Sequence, residues 1–597
     1  MKKEIPLEKS YGDDHVDDHV DKEIEDCFST KNPKCFFVFA GAGSGKTRSL
    51  INTLNFLDRE QGENLLMNGK QVAVITYTNA ACDEISRRLQ YKTIFSVSTI
   101  HSFLWDLIKY YQADIKSWLV ESVQKEIEEL QRKKTKKTGS KAGEKREEKI
   151  KKKMDRLAKI RTVQKFSYNP NGDNVGYDSL SHSEVIKMST EFIATEPTMQ
   201  DILTSKYPIL LIDESQDTKK ELIDALLIVC EKYSGKFIVG MFGDTMQKIY
   251  MDGKEDLAKC IPDNWIKPVK IMNHRSAKRI VTLANSIRST VDDKKQRARD
   301  DADEGIVRLF ITSESKDKEY IEKKVAEMMA QDTGDVGWND DDQYKSLILE
   351  HHMAASRFGF SELYMPLNDS KKFDTSLRDG SILELSILSK IVSPLVKAYK
   401  IGNDFEVAKI VRKNSPLLSK DAFVEEFKDQ TELLKNAEEA VETLMQLWND
   451  EKNLTCLEVL ESIQNTGLFD VGSRIDELLT EYSQDEDEKI TALRTALSVP
   501  FYEVERYALY VSDNTRFATH QGVKGLEFPR VMVILDDAQA KGFLFSYEKL
   551  FGVKAQSDTD IKNERDGKDT GITRTARLFY VACTRAENSL AVVAYTE

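Results

Sequence analysis

Phe37-Val38-Phe39-Ala40-Gly41-Ala42-Gly43-Ser44-Gly45-Lys46-Thr47 is a short apolar run that passes directly into a glycine-rich turn and a Lys-Thr pair. Glycines at 41, 43 and 45 let the backbone fold back so that its N–H groups face inward as an anion cradle. Arg48 and the residues after it (Ser49, Leu50, Ile51, Asn52, Thr53, Leu54) read as a helix, whose N-terminal dipole adds to that cradle. The pattern predicts a phosphate-binding loop over Gly41, Ala42, Gly43, Ser44, Gly45, Lys46, Thr47 and Arg48, with Lys46 on the β/γ-phosphates and the Thr47 hydroxyl on Mg²⁺. Ala40 stands where the pattern usually opens with glycine, a departure of one methyl group.

Working outward, residues 34–110 alternate strand and helix, with a strand over 71–77, a helix over 80–89 and a further strand-to-helix step. Such alternation predicts an α/β domain with a parallel sheet. The alternation returns at 207–250, with strands at 209–212 and 237–241, and again from about 269. Strands at 531–535 and 589–594 close the pattern, and the sequence stops at Glu597 directly after the last of them. The expectation is therefore that no nuclease is appended after the last strand. A chain of 597 residues suits about three or four folding units.

Two stretches break the alternation. Between 125 and 165 there are seventeen Lys/Arg against seven Asp/Glu, read as a charged helical hairpin with a tip near Thr138-Gly139-Ser140. Residues 380–510 read as mostly helical. The first 25 residues are acidic, with Asp-Asp-His-Val occurring at 13–16 and 17–20, and read as a solvated tail leading into a helix. The net charge of −13 argues against wholesale polyanion binding and puts the weight on local patches. Seven cysteines without a C-x-x-C pair fit reduced thiols rather than disulfides or a zinc site. With no run of eighteen apolar residues and no leader-like N-terminus, the expected location is cytoplasmic.

Tyr207-Pro-Ile-Leu-Leu-Ile-Asp213-Glu214-Ser215-Gln216-Asp217 is a buried strand ending in carboxylates. Beside a phosphate loop, Asp213 can hold Mg²⁺ through water and Glu214 can orient and deprotonate an attacking water, as in-line phosphoryl transfer requires.

The phosphate loop, the Asp-Glu-Ser-Gln-Asp run and further segments together resemble the UvrD/Rep/PcrA family of superfamily 1 DNA helicases, in order, over roughly 37–290 and 516–590. The resemblance implies two RecA-like parallel-sheet motor domains, each interrupted by a mainly helical inserted subdomain, with ATP bound between them. The expected division is 26–118 with 170–268, an insertion at 119–169, then 269–379 with 511–597, and a second insertion at 380–510. It implies movement 3′ to 5′ along single-stranded or partly duplex DNA.

By the same resemblance Tyr77, Thr78 and Asn79, then Thr99 and His101, are expected on DNA. Gln247 is expected to sense the γ-phosphate and Tyr250 to lie near bases. Arg275, in Asn273-His274-Arg275-Ser276, is expected on the γ-phosphate, with His274 replacing a tyrosine. Thr519 is expected on DNA and Glu527, in Lys524-Gly525-Leu526-Glu527-Phe528, on the ribose. Arg585, in Thr584-Arg585-Ala586, is the expected arginine finger. The family's Trp-Arg pair is Asp252-Gly253 here, and Gln521 stands where a histidine is usual. The layout is also similar to the UvrD-like helicase subunit of Gabija-type antiphage defence systems, which work with an OLD-family nuclease. That alternative role is a sensor of DNA ends or nucleotides with weak unwinding.

Overall fold

The computed structural model describes residues 15–134, 141–170, 176–250, 253–254, 257–314, 317–370, 372–419, 430–449, 453–480, 487–512, 515–541 and 544–596. The expected hairpin tip at 138–140 and Asp252 lie outside them. The chain divides into two compact units, residues up to 304 with 555–584, and residues 305–554 with 585–597. The division therefore falls at 304/305 rather than 268/269, and the segment 555–584 joins the first unit.

In the first unit six strands form one sheet: β1 (Phe36–Ala40), β2 (Val72–Thr76), β3 (Phe95–Thr99), β4 (Ile209–Ile212), β5 (Ile238–Gly243) and β6 (Val269–Lys270). Their spatial order is β3-β2-β4-β5-β1-β6, with every pairing parallel. A parallel pair, β7 (Met272–Asn273) and β8 (Arg297–Ala298), follows. Alternate residues of β1 feed two separate cores. Phe36, Val38 and Ala40 meet Leu50, Leu54 and Leu57 of the helix α2 (Lys46–Met67), while Phe37 and Phe39 join a cluster with Phe103, Leu104 and Leu226. Burial on both faces explains why this strand reads as an unbroken apolar run.

The acidic start is not a tail throughout. Helix α1 (Asp18–Asp26) buries Val20 and Ile24 completely against that first core. Asp17 just before it accepts the backbone N–H of Ile271 and Met272, both at 3.1 Å. Asp21 accepts from Ser49 Oγ at 2.6 Å and Asn52 Nδ2 at 2.9 Å, fastening α1 to α2. The basic stretch forms helices Gln112–Lys134 and Lys141–Ile160. Ile115, Leu119, Val123 and Ile127, one turn apart, extend the core along the first of them.

The second unit holds β9 (Ile306–Ser313), β10 (Lys345–Ile348), β11 (Phe517–Thr519), β12 (Phe528–Leu535) and β13 (Ala586–Thr596), all parallel in the order β11-β10-β12-β13-β9. Between β10 and β11 the described residues carry only helices and their connections from His351 to Val511, and they close around a core of their own, including Leu385, Leu395, Leu460 and Leu493. Helix thus begins earlier than the expected residue 380. Among the described residues no helix is long and apolar enough to cross a membrane.

Candidate functional site

Registers in the first sheet bring the expected site residues to one edge. Ile75 pairs with Ile212, Ile212 with Met241, and Phe39 with Gly243. The C-terminal ends of β1, β4 and β5 therefore lie side by side and deliver the loop at 41–45, Asp213-Glu214 and Asp244 to the crevice where open parallel sheets bind ligands.

The loop turns through Gly43 at φ 72° and Gly45 at φ 77°, and α2 begins at Lys46. A Cβ at Gly43 would meet Arg275 Cβ at 2.8 Å and Asn273 Oδ1 at 2.9 Å, so only glycine fits. Ser44 Oγ donates to the Gly41 carbonyl at 2.8 Å. The Lys46 ammonium, 9% exposed, lies 3.2 Å from Glu214 Oε1 but has no oriented hydrogen-bond acceptor. A buried cation at the mouth of a helix N-terminus, with unused donors, fits phosphate oxygens. Thr47 is half-buried and Arg48 exposed on the first turn of α2.

Glu214 occupies the left-handed region at φ 48°, ψ 44°. For a non-glycine residue this conformation costs of order 1–3 kcal/mol and is held by its surroundings. Here Asp213 Oδ1 accepts the Glu214 N–H at 2.9 Å, and Gln216 Nε2 donates to Glu214 Oε2 at 2.5 Å. Gln216 Oε1 in turn accepts the Asp244 N–H at 3.1 Å. Gln247, 3% exposed, donates through Nε2 to Asp244 Oδ2 at 3.0 Å.

Asn273-His274-Arg275-Ser276 wraps the loop from the other side. His274 N–H donates to the Gly43 carbonyl at 2.9 Å, and Asn273 Nδ2 to the Ala42 carbonyl at 2.9 Å. Asn273 Oδ1 accepts the Arg275 and Ser276 N–H groups, and Arg275 Nη1 donates to the Thr584 carbonyl at 3.4 Å. Lys46, Asp213, Glu214, Gln247 and Arg275 thus share the first unit.

The second unit carries Thr519, Glu527 and Arg585. Glu527 is exposed, and Arg585, 1% exposed, donates to the Leu526 carbonyl at 3.0 Å. Of the residues expected on DNA, Tyr77 stacks on Tyr250 with ring centroids 4.9 Å apart and planes 22° apart, and Tyr77 is 40% exposed. The three threonine hydroxyls cap local structure. Thr78 accepts Ala81 N–H, Thr99 accepts Ser102 N–H, and Thr519 accepts Gly522 N–H. Asn79 is exposed on the helix that Thr78 caps. Burial, then the nearby His182 and Lys219, lowers the His101 imidazole to about 4. It is therefore neutral near pH 7 and offers a hydrogen bond rather than a charge.

A family model described as an AAA domain matches residues 24–252. The chain is 24% identical to the Gabija protein GajB of Bacillus cereus (strain HuB5-5), over 96% of this chain and 95% of that protein. It is 22% identical to the ATP-dependent DNA helicase PcrA of Staphylococcus epidermidis, over 94% of this chain and 81% of the helicase. The chain resembles UvrD-like helicases. These matches support a helicase-type protein or a Gabija-type defence subunit, on a mixed α/β fold with parallel sheets.

Four residues of the candidate site had no assigned role from sequence. Tyr580 and Asn273 sit inside quoted motifs, so a signal existed for them. Arg288 and Gln296 have none, because they meet the loop only through folding: Gln296 Nε2 donates to the Ala42 carbonyl at 3.0 Å, and Arg288 pairs with Asp244 at 3.0 Å.

Proposed function

We propose that the chain is an ATP-dependent translocase on single-stranded DNA, moving 3′ to 5′. The convergence of Lys46, Asp213, Glu214 and Gln247 at the ends of β1, β4 and β5 supports this reading most strongly. Lys46 exchanges its Glu214 partner for β/γ-phosphate oxygens, which frees the carboxylate. Glu214 then takes a proton from the water whose oxygen attacks the γ-phosphorus, as the bond to the β-phosphate breaks. Magnesium, when held by Thr47 and Asp213, supplies charge neutralisation on the terminal phosphates. Gln247 and Arg275 orient the transferred group, and Glu527 and Arg585 are the proposed ribose and finger residues. The Tyr77–Tyr250 pair is the proposed base-stacking platform, where stacking contributes about 1–3 kcal/mol per base.

Lys46→Ala is expected to lose nucleotide binding. Glu214→Gln is expected to keep it while turnover falls by about 10²–10⁴. Single-turnover ATP hydrolysis by purified Glu214→Gln at the wild-type rate would remove Glu214 as the base.

The near end-to-end match to GajB supports a second reading, a defence-complex subunit acting with a separate OLD-family nuclease. Co-purification from native cells would yield a nuclease in stable ratio under this reading, and the lone chain would unwind DNA poorly. Robust strand separation by the chain alone favours the autonomous motor.

A further inference from the structure

Helix Gly571–Cys583 leads directly into Thr584-Arg585 and places Tyr580, fully buried, beneath the phosphate loop. The Tyr580 hydroxyl meets four partners, the most distant being Gln296 Oε1 at 3.5 Å. It accepts the Ala42 N–H at 3.3 Å and Arg288 Nη1 at 3.3 Å, and it donates to Asp244 Oδ2 at 3.2 Å. Its two lone pairs take the two donors, and its one proton goes to Asp244, the nearer and charged acceptor, rather than to Gln296. Burial, then the Asp244 carboxylate, pushes this phenol well above its ordinary range, so the donating proton stays in place.

Asp244 is the branch point. Its Oδ2 also accepts from Gln247, its Oδ1 accepts the Met246 N–H at 3.1 Å and pairs with Arg288, and its own N–H donates to Gln216. Gln216 then holds Glu214. A continuous chain of hydrogen bonds therefore runs from Ala42 through Tyr580, Asp244 and Gln216 to Glu214, with a side branch to Gln247. Buried networks of this kind act as units rather than as sums of pairs.

We propose that Tyr580 is a positioning residue for hydrolysis: its hydroxyl ties the phosphate loop to the Asp244 hub and thereby fixes the Glu214 carboxylate and the Gln247 amide. The proposal rests on the hydrolytic reading above. The tyrosine ring fills the core in either case, so the hydroxyl alone carries the role. Phenylalanine keeps the ring and removes the bonds to Ala42, Arg288 and Asp244.

The test compares wild type, Tyr580→Phe, Gln216→Ala and the double variant, each as the full chain. ATPase is measured with and without single-stranded DNA, affinity with a fluorescent ATP analogue, and amide exchange over peptide 40–47 without nucleotide. Each single variant is expected to lose on the order of tenfold in kcat, the worth of about one hydrogen bond, with KM and analogue affinity within about twofold. The double variant is expected to match either single one, because both cut the same chain. Exchange over 40–47 is expected to rise in Tyr580→Phe. Wild-type kcat and exchange in Tyr580→Phe would overturn the proposal, as would losses that multiply in the double variant. A wild-type chain that binds the analogue yet never turns over ATP would instead overturn the hydrolytic reading, and the relay with it.

Discussion

At Gly253 a Cβ would lie 2.3 Å from the Gln216 carbonyl oxygen, inside any allowed contact. Gly253 also pairs with Lys219 in an antiparallel bridge, which holds its loop against the turn that follows Glu214. The arginine expected here from the helicase resemblance is therefore excluded with the turn in this conformation. Gly253→Ala is expected to destabilise the first unit by about 1–3 kcal/mol, as overpacking does. Differential scanning calorimetry would record this as a lower first transition, and an unchanged transition would show that the loop moves aside at no cost. At this scale much of the site was legible. Lys46, Asp213 and Glu214 announce themselves because each motif is contiguous and its chemistry is set by residue type. Arg288 and Gln296 do not, since nothing in their own neighbourhoods distinguishes them from surface residues.

Strands and their edges account for the next level. The runs at 36–40, 72–76 and 209–212 are buried at every position, and apolar at all but Thr76, because cores lie on both faces of the sheet, and that pattern was readable in the chain. What remained hidden was capping: Thr78, Thr99 and Thr519 use their hydroxyls to close turns, a role indistinguishable in sequence from binding a phosphate. The turn after β11 holds a further consequence. His520 is completely buried, its Nε2–H donating to the Leu347 carbonyl at 3.0 Å while Nδ1 accepts from Tyr547 at 2.8 Å. Burial lowers this imidazole from 6.5 to about 4. The neutral form is favoured in the fold, so stability is complete above about pH 6.5 and falls as pH drops towards 4, where the deficit reaches about 3 kcal/mol. Denaturant unfolding from pH 7 to 4 is expected to show a steeper loss in wild type than in His520→Gln. Equal slopes would assign the acid sensitivity to other groups.

For the whole molecule, charge and partner remain the deciding quantities. The excess of lysine and arginine over 125–165 is partly engaged locally: Arg156 pairs with Glu184 at 2.7 Å, Lys125 with Glu121 at 2.7 Å, and Lys159 lies 3.4 Å over the Tyr177 ring. Lys149 and Lys151 are exposed on the second helix of this hairpin. If these two touch DNA phosphates, changing both to glutamine lowers the slope of log affinity against log salt by about 1.4 for a single strand. Fluorescence anisotropy at several salt concentrations measures this, and an unaltered slope would leave the basic run as a solvated face.

The sequence by itself determined the glycine-rich loop after the first strand, the carboxylate pair after the fourth and the parallel α/β class, because each depends on neighbouring residues and on periodicity. Only the tertiary structure decided how the loop is held. Ala42 and Tyr580 are 538 positions apart, and their hydrogen bond exists only because the segment 555–584 packs into the first unit. Buried hydrogen bonds are set by distance and orientation in space, which chain order does not encode.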